Sequence, residues 1–244
     1  MAKLIIVPDS FFSKVFFRKY DFKNHTFNKH CDIYDSGNID GLIVFVIKDS
    51  TDWGDYLFDM LKKHSVDLVL FAGYSFSLDL NVATSSIVQI DRFSVLPDTM
   101  VFWHPDNISY FECGVSIKNI VGYQNVPKEG LCLGSTKSKL ATWKLRDWLY
   151  DESDISLFDR YGAYVADICG KSNVIYVVCT GVLLKKSKFN MLDKMIVWDK
   201  SYSFFELLFS PYKMIPYMIL YYRKYLIFKK MHRLIENFVT YNNR

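Results

Sequence analysis

Apolar residues in this chain come in short unbroken runs rather than in alternation with polar ones. The clearest are "LIIV" after Lys3, "LIVFVI" at Leu42 to Ile47, "LVLFA" ending at Ala72, and "VIYVVC" from Val174 to Cys179. A strand with one wet face alternates, whereas a strand that is apolar throughout needs cover on both faces. Interior strands are therefore predicted over Lys3–Val7, ended by Pro8, and over Leu42–Ile47, Val66–Ala72 and Val174–Cys179. Between the second and third, Trp53, Tyr56, Leu57, Met60 and Leu61 recur at helical spacing, predicting a helix from Trp53 to His64 with Asp49 or Ser50 as its N-cap. Leu42 to Ala72 thus reads as a β-α-β unit.

Weaker apolar runs predict strands at Ile87–Ile90, Met100–Trp103 and Leu131–Leu133, and a short helix over Ala141–Tyr150. Residues 11–40 are aromatic, basic and irregular, with a hairpin turn at "DSGNIDG". In "FDRYGAYVADICGK", a polar turn of Asp159, Arg160 and Tyr161 precedes a helix. Its Gly162, Ala163, Ala166 and Gly170 suit close packing on a sheet. The strand after it leads to Thr180, Gly181, Val182, Leu183 and Leu184. Open α/β sheets bind ligands at the carboxyl ends of such strands, yet two leucines stand there. A basic aromatic helix over about 211–239 ends the pattern, beginning or kinking at Pro216.

Composition narrows the class. With 244 residues, half of them apolar and 17% aromatic, the chain supports a large core in one domain spanning 1–244. The net charge of +4 is too small to imply nucleic acid. Five cysteines without CxxC spacing fit a reducing compartment rather than disulfides or zinc. The N-terminus reads as a strand and not a signal peptide, and no apolar stretch reaches the ~20 residues of a membrane span. The expected location is the cytoplasm. Phosphate-loop, dinucleotide and nucleophile-elbow motifs are absent, and the histidines lack paired ligand spacing. Neither metal nor cofactor is expected.

Two segments together resemble the nucleoside phosphorylase and nucleosidase superfamily: "GLIVFVIKDSTDWGDYLFDMLKKHSVDLVLFAGYSFSLDL" and "GLCLGSTKSKLATWKLRDWLYDESDISLFDRYGAYVADICGKSNVIYVVCTGV". The resemblance covers roughly 100 residues, by order, length and small-residue positions. It implies a three-layer α/β/α sandwich around a mixed central sheet. It also implies a nucleoside-binding loop at "AGYSFSL", with Gly73 kept, and a sugar-binding turn at 159–161. Arg160 stands where the family has Met, and Tyr161 where it has the ribose-binding Glu. The position of the catalytic aspartate falls at or near Leu184, and that of the water-activating Glu near Ser13 and Lys14. Three expected carboxylates are missing together.

The candidate site residues follow from that frame. Asp159 has two readings of equal weight: a cap on the helix it precedes, or a bidentate acceptor for a ribose diol. Arg160 and Tyr161 border the same turn. Gly73 gives close backbone approach, and Tyr74 and Phe76 either stack on a base or plug an emptied pocket. Asp9 stands at the mouth after the first strand. Asp193 is the one named replacement for the lost acid, which would protonate the leaving base. The implied partner is a nucleoside-like small molecule, with phosphate as a co-substrate if the chain is a phosphorylase, and homo-oligomers are common in the resembled fold. Function stands between a divergent N-glycosidic enzyme and a non-catalytic binder. The terminal helix has a plain reading, in which Met218, Tyr222 and Leu226 cover the sheet, and a second in which it docks on a membrane or RNA.

Overall fold

The computed structural model describes residues 1–8, 21–27, 29–48, 52–79, 81–96, 108–112, 131–136, 143–185 and 211–241. Its strands are β1 (Ala2–Val7), β2 (Phe22–Phe27), β3 (Cys31–Ser36), β4 (Leu42–Ile47), β5 (Val66–Ser77), β6 (Ile87–Ile90), β7 (Arg92–Val95), β8 (Phe111–Glu112), β9 (Cys132–Ser135), β10 (Leu157–Asp159) and β11 (Ile175–Lys185). Its helices are α1 (Trp53–Lys63), α2 (Trp143–Glu152), α3 (Gly162–Lys171) and α4 (Pro211–Thr240).

The four unbroken apolar runs form the parallel centre of one mixed sheet. β1 lies between β4 and β5, and β11 pairs with the other edge of β5. None of the four is an edge strand, since β3 covers β4 and β6 covers β11, both antiparallel. Successive residues face opposite layers, as strand geometry requires. Val69 and Phe71 pack with Trp53 and Leu57 of α1 and Ala163 and Val165 of α3. Leu68, Leu70 and Ala72 pack with Ile227, Met231, Leu234 and Phe238 of α4. Helices on both faces make the three-layer α/β/α sandwich.

Several boundaries move from their sequence-based positions. β5 and β11 do not stop at Ala72 and Cys179 but run on side by side, from Gly73 opposite Thr180 to Ser77 opposite Lys185. Each answers the other's backbone N–H and C=O groups, so neither ends at its glycine. A bulge between Val182 and Leu184 absorbs the one-residue mismatch. The stretch predicted as a nucleoside-binding loop is therefore strand. The "DSGNIDG" turn joins β3 to β4, with Gly41 at a φ of +73°. Asp52, not Asp49 or Ser50, directly precedes α1, and its side chain makes no capping bond. Asp49, Ser50 and the strand expected at Met100–Trp103 lie outside the described residues. β7, β8 and β10 carry two to four residues each, too few for a periodicity to register.

α4 is held at both ends of its packed half. Lys3, buried at the start of β1, donates its ammonium to the carbonyls of Val239, at 2.7 Å, and Tyr241. Those carbonyls lie where a helix leaves acceptors unanswered and carries partial negative charge. At the other end, Gly181 lets the helix approach β11: a Cβ there would overlap Ile227 Cγ2 and lie 3.0 Å from its Cβ. Gly181→Ala is expected to destabilise the protein by about 1–3 kcal/mol through overpacking. Urea unfolding of the single variants and the pair with Ile227→Ala checks this. The double variant should lose less stability than the sum of the two single losses.

Candidate functional site

The sequence places its chemistry where α3 begins, and the structure shows what holds that corner. β10 runs antiparallel to the end of β5, with Leu157 opposite Ser77 and Phe158 opposite Phe76. It runs parallel to β9, with Asp159 level with Ser135. The chain then turns through Arg160 and Tyr161 into α3. Asp159 is 4% exposed, and its carboxylate accepts from the backbone N–H of Tyr161 at 3.1 Å and of Gly162 at 2.9 and 3.1 Å. The Ser135 hydroxyl also donates to it. Ser135 Oγ in turn accepts from Ala163 N at 2.8 Å. One carboxylate and one hydroxyl thus answer successive donors of the first helical turn, and they tie β9, β10 and α3 together. These are the bonds of a helix cap; a ribose diol would have to displace those donors.

Burial pushes the Asp159 carboxyl up to about 7, against the opposing pull of Ser135 and the two backbone donors. Desolvation wins because the group has lost nearly all contact with water.

Gly73 lies at the same end of the sheet, and what fills the space above it is Phe71. A Cβ on Gly73 would come 2.5 Å from Phe71 Cε1. A Cβ on Gly162 would come 3.4 Å from that same atom and 2.8 Å from Asp159 Oδ2. The two glycines flank one aromatic ring, with the capping carboxylate behind it. Tyr161 is half-buried, packed edge-on against Trp53 of α1 with ring centres 5.9 Å apart. The Arg160 guanidinium lies 5.6 Å from the centre of the Tyr161 ring.

The other candidates spread out. Phe76 packs against Phe158 with ring centres 6.4 Å apart, in a separate apolar cluster with Leu78, Leu96 and Leu149. Tyr74 lies on the opposite face of β5 from Gly73, against the α4 layer, with Lys224 Nζ 5.2 Å from its ring centre. Leu184 is 3% exposed within β11, opposite Phe76 and just past the bulge. Asp9 and Asp193, like Ser13 and Lys14, lie outside the described residues. Among the described residues, no group of three or more His, Cys, Asp or Glu side chains could hold a metal. The described cysteines Cys31, Cys132, Cys169 and Cys179 are buried and not joined in disulfides, and burial raises the Cys132 thiol to about 11.

The sequence reading missed a hydroxyl pair beside this corner. Ser75 Oγ and Thr180 Oγ1 lie 2.8 Å apart, both fully buried, on adjacent strands. The alternation in "YSFS" was the available signal, since period two marks strand rather than loop. Ser135 was equally legible as the polar end of "CLGS".

The cap makes stability depend on pH. In the unfolded chain Asp159 ionises near its ordinary 3.8, but in the folded protein near 7. Between those values the folded state binds the extra proton, so stability is full below the lower value and falls as pH rises through the upper. Melting temperatures from about pH 5 to about pH 8 should drop more steeply for the native protein than for Asp159→Asn, which carries no charge to desolvate. Asp159→Ala should lose about 1–3 kcal/mol at every pH by stranding its buried donors. Parallel native and Asn profiles would contradict the assignment.

No family model matches the chain, and no curated protein matches it by sequence. Solved structures do match it. The native futalosine hydrolase of Helicobacter pylori superposes with a TM-score of 0.68 at 16% identity, over 96% of this chain and 97% of that one. The 5'-methylthioadenosine/S-adenosylhomocysteine nucleosidase of Helicobacter pylori, complexed with a pyrrolidine-based ligand, gives 0.69 at 14% identity, over 96% and 98%. The nucleosidase of the same name from Campylobacter jejuni gives 0.64 at 11%, over 90% and 97%. At such identities the likeness is one of fold, and this chain has the fold of these nucleosidases and of the futalosine hydrolase.

Proposed function

We propose that the protein binds a nucleoside-like small molecule on a nucleosidase frame and does not cleave ordinary purine nucleosides at enzymatic rates. The observation that carries this is the state of the position expected to supply the acid: Leu184 is buried inside a paired strand. A leucine cannot protonate a leaving base, and general acid catalysis is typically worth 10²–10⁴-fold. Tyr161 stands where the resembled family binds ribose with Glu, and Asp159 next to it is engaged by Ser135 and the start of α3. Arg160, Tyr161, Gly73, Phe76 and Tyr74 are the ligand-binding candidates from the sequence, together with Asp9 beyond β1. Of these, Arg160 and Tyr161 are part-exposed beside the cap and are the first to test. A cytoplasmic setting belongs to this reading, and the described cysteines, buried and outside any disulfide, agree with it. Assembly as a homo-oligomer belongs to the same reading.

Calorimetric titration with adenosine, inosine and 5'-methylthioadenosine, beside chromatographic assays for free base with and without phosphate, tests the proposal. Saturable binding of at least one nucleoside without turnover is expected, weakened by Tyr161→Ala. Turnover of about 1–10³ per second would overturn it, and loss of that turnover in Asp193→Asn would identify the acid. Failure of all three nucleosides to bind would overturn the ligand class.

A further inference from the structure

α4 has two unlike halves. From Ile227 to Val239 its buried side chains seal one face of the sheet. The half before that turns apolar residues outward: Ile215 is 67% exposed, Met218 59% and Tyr222 60%. Met214, Tyr221 and Tyr225 are also exposed. Positions 214, 218, 221, 222 and 225 follow one another at helical spacing, so they form a single stripe about 16 Å long at 1.5 Å per residue. This contradicts the expectation that Met218 and Tyr222 cover the sheet. The core stripe lies on other positions, and the sheet beneath α4 is already filled by Ile227, Phe228 and Met231. A contiguous apolar patch of this kind marks an interaction surface rather than ordinary exposure.

The charge on the helix says what covers the stripe. Lys213, Arg223, Lys224, Lys229, Lys230 and Arg233 lie along it, and no acid appears before Glu236. Three of these bases are drawn toward the body: Arg223 donates to the Leu183 carbonyl at 3.2 Å, Lys230 to the Ser85 carbonyl at 2.7 Å, and Lys224 sits over the Tyr74 ring. Lys229 and Arg233 continue the outward stripe itself, one and two turns beyond Tyr225, and both are exposed.

We propose that the exposed half of α4 docks on an anionic lipid surface. Ile215 and Met218 would enter the acyl boundary. Tyr221, Tyr222 and Tyr225 suit the interface, where a ring is buried while its hydroxyl stays wet. Lys229 and Arg233 would meet the headgroups. The helix lies on the surface and does not cross it, in keeping with the absence of any described helix long and apolar enough to span. A second copy of the chain fits less well, because two such helices facing each other would bring many like charges together against a single acid on each, Glu236, which already lies 3.6 Å from His232. RNA fits less well because isoleucine and methionine offer nothing to phosphate or base edges.

Co-sedimentation of the full chain with vesicles tests the proposal, using phosphatidylcholine alone and phosphatidylcholine mixed with phosphatidylserine. Binding should be roughly tenfold tighter to the mixed vesicles and should weaken as salt rises. Met218→Ser combined with Tyr222→Ser should cut it by a further tenfold or so, and Lys229→Gln with Arg233→Gln should abolish the preference for anionic lipid. The altered residues are exposed, so melting temperatures should be unchanged. No binding, or equal binding to both vesicles, would overturn the proposal. So would a dimer that the Met218→Ser, Tyr222→Ser variant converts to monomer, or release of the protein from mixed vesicles into a complex with added RNA.

Discussion

A single buried carboxylate fixes the corner on which this structure turns. Asp159 joins three elements that are far apart in sequence or direction: the strand it ends, the strand carrying Ser135, and the helix whose first donors it answers. An unpaired N–H at a buried helix start is costly, and so is a charge without water. The corner resolves both by giving the donors an acceptor and letting the acceptor hold a proton near neutrality. Phe71, Gly73 and Gly162 are then fitted around it, each glycine leaving room that a methyl group would occupy. Phe71, Gly73, Gly162 and Asp159 are closed against one another, while Arg160 and Tyr161 stay part-exposed beside them.

The same economy runs through the central strands. β5 and β11 extend together because each supplies the other's hydrogen bonds, and their apolar faces are covered by α1 and α3 on one side and α4 on the other. Extending β11 carries Leu184 into the sheet instead of into a loop. The leucine at that position and the length of the strand are one physical fact: a buried, paired strand position favours leucine and penalises a carboxylate. A frame that superposes on nucleosidases thus closes the end of this strand pair with apolar side chains.

How much of this was legible varies with the kind of signal. Runs such as "LIVFVI" and "VIYVVC" declare burial on both faces, and all became interior strands. The helix at Trp53 and the small-residue helix after Tyr161 were equally plain, because their periods extend over ten residues or more. The ends of β5 and β11 were hidden because Gly73 and Gly181 look like breakers in sequence. Their reasons are spatial: one accommodates the Phe71 ring and the other Ile227 of a helix nearly fifty residues later. Asp159 was visible as a residue, but its partner Ser135 lies in another strand, and no local pattern joins them. The outward stripe of α4 was misread for a related cause. Helical spacing shows that Met218 and Tyr222 share a face, and only the packing of Ile227 and Met231 shows that the face is the outer one.

The central claim is that the carboxylate at the nucleosidase-like corner serves the fold. Carbon-13 NMR titration of the Asp159 side-chain carboxyl, alone and with saturating adenosine, measures this directly. The account predicts a midpoint near 7 that adenosine leaves in place. A midpoint in the ordinary carboxylate range near about 4, or one that moves when adenosine is added, would contradict it.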